Sequence, residues 1–124
     1  MTIETSQADI ARFLQAAQSG TVRFDPAAAR RCAELYDQQA EGFRYLQQRL
    51  ESVAEPHGFG GFFSARQLQA GFGRKARDAA ALLDQYIAAA YRMKEAFLLS
   101  AGLYEEADAA HAAALRAVEP RVPR

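Results

Sequence analysis

Tryptophan is absent from the 124 residues, and cysteine occurs once, at Cys32. A single thiol cannot close an intramolecular disulfide, nor can it alone build a zinc or dithiol redox site. The two histidines, His57 and His111, lie far apart and supply no closely spaced ligand pair. Neither sign of charge is in excess: 15 Lys and Arg balance 15 Asp and Glu, for a net charge of +0. That balance excludes the bulk electrostatics of a nucleic-acid binder or a polybasic membrane-surface protein. No apolar run approaches the roughly 18 residues needed to span a bilayer. The richest stretch, Ala79 to Ala90, is interrupted by Asp84 and Gln85, so stable membrane insertion is not expected. Residues Met1 to Glu4 carry neither a basic nor an apolar signal region, so no cleavable secretory signal is expected.

Alanine dominates what is present. It occurs 28 times, against ten Val, Ile and Thr together. Alanine is the best helix former and β-branched residues favour strands, so the expected fold class is all-α. Residues 5–18 read as a short amphipathic helix with Ile10, Phe13, Leu14 and Ala17 on one face. Ser6 with Asp9 suggests its capping box, and Ser19-Gly20 its end. Asp25-Pro26 opens a second helix, with Asp at the N-cap and Pro at the first helical position. Its apolar positions step by three and four through Ala29, Cys32, Tyr36, Gln39, Phe43, Leu46, Leu50 and Val53.

Pro56 with Gly58, Gly60 and Gly61 breaks that helix. Ser64 with Gln67 suggests the capping box of the next one. The last helix is expected to run unbroken over about 64–118. Its seam reads Leu68, Phe72, Ala76, Ala79, Leu83, Tyr86, Ala90, Met93, Phe97, Ser100, Tyr104 and Ala107. Gly102 is expected only to weaken its middle. Residues 1–20 form an N-terminal helical arm in this reading. Residues 21–118 form an antiparallel two-helix hairpin (helix about 26–54, turn 55–63), and 119–124 a disordered tail. Leu82, Ile87 and Leu99 widen the apolar stripe beyond one neighbour. The N-terminal arm is expected to cover part of this stripe, and a partner chain completing a four-helix bundle by dimerisation the rest. The expected partner interface is Tyr36, Phe43, Leu46, Leu50, Leu83, Tyr86, Met93 and Phe97.

Nothing in the sequence gathers catalytic groups: no serine or cysteine neighbours either histidine. Gly71 to Ala76 lacks the Gly-Lys-Ser/Thr ending of a phosphate loop and follows no strand. Cys32 reads as a small apolar seam residue. Arg74, Lys75 and Arg77 read as a solvated face offset by Asp78 and Glu51. No enzymatic activity, cofactor or metal is expected. Tyr104 and Asp108 stand at i, i+4, one helical turn apart on one face; on spacing alone, Tyr104 is a seam residue and Asp108 a solvated charge. The aromatics among the turn glycines, Phe59, Phe62 and Phe63, either cap the end of the hairpin or present a docking knob. Capping is the expectation from packing.

Taken in order, these motifs resemble the helical-hairpin substrates of type VII (ESX) secretion, the EspC-like and WXG100-like proteins. Val22 to Ala27 is similar to the opening of EspC-like members. Phe59-Gly60-Gly61 sits where WXG100 proteins carry Trp-x-Gly, and Tyr104 follows one long helix later, as the family's export signal does. The resemblance covers roughly residues 22–118; the missing tryptophan and the extra arm set the chain apart from a plain WXG100 protein. It implies a non-enzymatic protein exported to the medium or the cell envelope after synthesis in the cytoplasm. It implies Tyr104 and Asp108 as the secretion signal, the type VII secretion ATPase as its reader, and a homodimer or a heterodimer with a sister hairpin. The competing expectation is a cytoplasmic helical adaptor or chaperone that binds a partner helix and needs no such signal.

Overall fold

The computed structural model describes residues 2–54 and 60–120. They are all-α: α1 (Ile3–Gln18), α2 (Pro26–Val53), α3 (Phe63–Ser100) and α4 (Tyr104–Ala117). The 38 residues of α3 extend about 57 Å and form the spine against which α1, α2 and α4 each pack. Phe59 and His57 of the expected turn, and residues 121–124 of the expected tail, lie outside the described residues.

Local chemistry explains most boundaries. The Asp25 carboxylate accepts from the Ala28 amide at 3.1 Å, with Pro26 at the first helical position, as expected. α1 starts earlier than expected, because the Thr2 hydroxyl caps it by accepting from the Thr5 amide; Ser6 lies inside the helix. α3 starts at Phe63 behind an N-cap, Phe62, that makes no side-chain capping bond, so the expected Ser64–Gln67 box does not form. Both α1 and α3 end in the same device. Gly20 (φ +77°) and Gly102 (φ +74°) adopt left-handed backbone. The amides of Gly20 and Thr21 bond to the Ala17 and Ala16 carbonyls, and those of Gly102 and Leu103 to Leu99 and Leu98. These are Schellman caps, which satisfy carbonyls left over at a helix end.

The second cap corrects the expectation of one helix over 64–118. Gly102 stops α3, and α4 folds back antiparallel along it. Ala107 and Ala110 pack beside Leu98 and Ala33, and Ala117 reaches Ile87 and Tyr91. Arg30 pairs with Glu106 at 3.3 Å, and His111 Nδ1 lies 3.1 Å from Oε1 of the buried Glu95. α4 therefore supplies in cis part of the cover expected from a partner. Ile87 is buried and Leu99 packs beside the Leu98 cluster, while Leu82 remains exposed.

α2 runs antiparallel to α3, but on a face rotated from the expected seam. Ala29, Ala33, Ala40 and Gln47 are its buried positions, with the buried Ala54 just past its end, whereas Leu46 and Val53 are exposed. The small side chains let the backbones approach. Gly73 faces the Ala54 carbonyl so closely that a Cβ there would stand 2.3 Å from its oxygen. Gln47 is buried because its amide donates to the Ala80 carbonyl (2.8 Å) and the Asp84 carboxylate (2.6 Å), which offsets its desolvation. Lys94 bridges to both Asp37 oxygens at 2.9 Å.

Candidate functional site

Two surfaces carry most of the residues singled out in the sequence. The first lies at the start of α4. Tyr104 is its first residue and Asp108 follows one turn later; both are exposed, Tyr104 at 66%. That exposure overturns the reading of Tyr104 as a seam residue. The helix beneath is held in place: Ala107, Ala110 and Ala114 are buried, Glu106 reaches Arg30 and His111 reaches Glu95. A phenol and a carboxylate are thus displayed together on an anchored helix. Beside Tyr104 is a cleft of about 340 Å³ bordered by the α1–α2 connector (Gly20, Val22, Arg23, Phe24) and the α3–α4 turn. The connector is pinned there by the Phe24 amide, which donates to the Ser100 carbonyl at 3.0 Å.

The second surface is the apolar face shared by α2 and α3. Of the eight residues expected to meet a partner, five lie where α1 approaches. Tyr36, Phe43, Tyr86 and Met93 line a cleft of about 320 Å³ between α1 and α2, opposite Ile3 and Ile10. Phe97 forms an aromatic cluster with Phe13 (5.0 Å between ring centres), Phe24 (5.3 Å) and Tyr36 (6.0 Å). Phe43 and Tyr86 stack obliquely at 5.7 Å. The other three, Leu46, Leu50 and Leu83, lie further along the hairpin, past the N-terminus of α1. Leu46 is exposed, and Leu50 and Leu83 are half-buried.

At the hairpin end, Gly60 (φ +90°) and Gly61 are exposed, as are Phe62 at 81% and Phe63 at 76%. Phe62 and Phe63 therefore do not cap the bundle end. Phe59, the third residue of the expected turn motif, is outside the described residues.

A third feature, which sequence reasoning missed, is a polar cleft of about 470 Å³ where α4 ends over α2 and α3, bordered by Arg44, Gln47, Asp84, Tyr91 and Arg116. Arg44 donates to the Tyr91 hydroxyl at 2.6 Å and stacks 5.3 Å above its ring. Only the reversal at Gly102 brings Arg116 beside Arg44, so helical spacing could not have disclosed it. Among the described residues, no cluster of His, Cys, Asp and Glu is arranged to hold a metal ion, and no helix is long and apolar enough to cross a membrane. Comparisons with protein-family models, curated proteins and solved structures find no match to this chain.

Proposed function

We propose that the chain is a non-enzymatic helical protein exported by a type VII secretion system, which reads Tyr104 and Asp108 on the surface of α4. The reading rests on the resemblance of the ordered motifs. The observation that carries it further is the joint exposure of Tyr104 and Asp108 on a helix anchored through its opposite side. A reader can engage such a pair without unfolding the protein. In this proposal the reader is the secretion ATPase. The exported species is the hairpin paired with a second copy or a sister hairpin, destined for the medium or the cell envelope.

The test is export of tagged protein from an actinobacterial host with an active type VII system. Wild type is expected in the culture filtrate and Tyr104→Ala in the cell pellet, with unchanged helicity by circular dichroism. Equal export of both would remove Tyr104 as the signal.

One observation favours a second reading, the cytoplasmic adaptor. Leu46, Val53, Leu68 and Leu82 are exposed on the distal hairpin, and a helix-binding surface there needs no Tyr104. Retention of wild type in the cytosol with a helical client bound would favour it.

A further inference from the structure

The polar cleft of about 470 Å³ where α4 ends over α2 and α3 shares no residue with the cleft beside Tyr104. Its charges are sorted along its length. At one end, Arg44 donates to the Tyr91 hydroxyl at 2.6 Å. Arg116 joins that end from α4, where the next residue, Ala117, packs on Ala40, Ile87 and Ala90. At the other end stands the half-buried Asp84. Gln47, only 7% exposed, fixes its carboxylate. The Gln47 side-chain amide donates to Asp84 at 2.6 Å and to the Ala80 carbonyl at 2.8 Å. Among the described residues, Arg44, Arg116 and Asp84 all stand outside ion pairs.

We propose that this cleft binds a short zwitterionic peptide of dipeptide length. Its carboxylate lies between Arg44 and Arg116, and its ammonium on Asp84. Binding there is independent of export and of any pairing between chains.

Three observations select that ligand. The first is charge. Two guanidinium groups from different helices share one end of the cleft with no carboxylate between them. Like charges so placed repel, whereas a ligand carboxylate accepts charge-assisted hydrogen bonds from both forks. Asp84 faces the same space without a cation. An ionised carboxylate only accepts hydrogen bonds, and an ammonium brings three donors. Glu51 and Glu119 also border the cleft, which disfavours a purely anionic ligand. A ligand carrying both charges, in this order, serves both ends.

The second is length. Asp84 and Tyr91 lie two turns apart on α3, about 10 Å along its axis. A contact of about 3 Å at each end leaves roughly 5 Å between the charges of the ligand. A single α-amino acid spans about 2.5 Å from nitrogen to carboxyl carbon, and a dipeptide about 6 Å. The flexible arginine stems absorb the remaining difference.

The third is room. Small-ligand sites enclose roughly 300–1,000 Å³, which includes this cleft. Ile87, Ala113 and Ala117 supply an apolar wall for the side chains of the dipeptide.

The test is an NMR titration of the isotope-labelled full chain with L-alanyl-L-alanine. Saturable shifts are expected around Tyr91, Asp84 and Arg116. The N-acetylated dipeptide lacks the ammonium and the C-amidated one the carboxylate. Each is expected to bind about 10-fold weaker, as is free alanine. Asp84→Asn keeps an oxygen for Gln47 to donate to, so its helicity by circular dichroism is expected to be unchanged. It is expected to weaken the free dipeptide about 10-fold and to leave the acetylated form unaffected. Arg116→Gln, at an exposed position, is expected to weaken the free dipeptide equally and to leave the amidated form unaffected. A merely structural role would instead weaken every ligand alike. Absence of saturable binding, equal binding of the free and acetylated dipeptides, or variants that bind like wild type would each overturn the proposal.

Discussion

Between Tyr86 and Ser100, α3 is enclosed by α2, by α1 with its aromatic cluster around Phe97, and by α4. Between Phe63 and Leu83, α2 is the only other helix among the described residues that accompanies it. The buried positions differ accordingly. The enclosed half buries Ile87, Ala88, Ala90, Glu95, Ala96, Leu98 and Ser100, whereas the distal half buries only Gly73, Ala76 and Ala80. Helix-forming tendency does not separate the two halves, since both are rich in alanine. What separates them is chain reversal: the turn at Gly20 leaves α1 beside the Tyr86–Ser100 half of the spine, and the turn at Gly102 sends α4 back along the same half. Enclosure lets large side chains turn inward at Leu98 and Ile87. With two helices alone, close approach is achieved through Gly73 and Ala54, and the large side chains at Leu46 and Leu68 are left outside.

The sharpest way to test that contrast is Leu98→Ala. Leu98 is 2% exposed at the junction of α2, α3 and α4. Its truncation is expected to cost about 3 kcal/mol and to lower the melting temperature by roughly 10 °C, measured by circular dichroism. The distal Leu68→Ala, at 61% exposure, serves as the control and is expected to change little. Equal losses would break the comparison.

Gly73→Ala probes the other half. The substitution gains about 1 kcal/mol of helix propensity, but its Cβ would meet the Ala54 carbonyl oxygen at 2.3 Å, so α2 must move. A net loss of about 1–2 kcal/mol is expected. Hydrogen exchange should accelerate in residues 47–54 and 63–80 and stay unchanged in 86–100. Acceleration spread evenly over α3 would show that the halves unfold as one unit.

Gly102→Ala is expected to cost about 1 kcal/mol, the penalty of a side chain in left-handed backbone, because nothing else crowds the site. Faster exchange confined to α4 and the turn before it would show that the cap is what returns α4 to the spine. The smallest effect is expected at Tyr104→Ala: with the side chain largely in solvent, stability should stay within about 0.5 kcal/mol of wild type. A larger loss would mean that Tyr104 holds α4 in place, and the export variant would then report on folding.

Much of the fold was legible, and the failures have identifiable causes. Asp25-Pro26 declared the start of α2 because capping is local chemistry. Gly102 reads as a weak point inside a helix because an alanine-rich pattern continues on both sides of it. The signal that could have corrected this was Leu98 with Gly102-Leu103, the apolar pair that accompanies a Schellman cap, followed by Glu105 and Glu106 in a new first turn. The periodicity of α2 points to a seam on its largest apolar residues, yet the contact with α3 follows Ala33, Ala40 and Gln47. A periodicity argument weights side-chain size, whereas helices that approach closely select small residues. Of the candidate site, the i, i+4 spacing of Tyr104 and Asp108 was readable. The solvated Asp108 was readable too, but the exposure of Tyr104 was not, because it depends on which side of α4 meets α3.

Composition and local spacing by themselves determined that this chain is helical, where α2 begins, and which residues form a continuous apolar stripe along α3. These follow from backbone propensity, capping and a period of 3.6 residues, all of which act within a few positions of the chain. Only the tertiary structure decided which half of that stripe is covered, that Tyr104 faces solvent, and that Arg116 and Glu106 return to meet α2. Those outcomes depend on two left-handed glycines. A local change of one backbone angle there redirects an entire helix, and no local pattern records where the redirected helix lands.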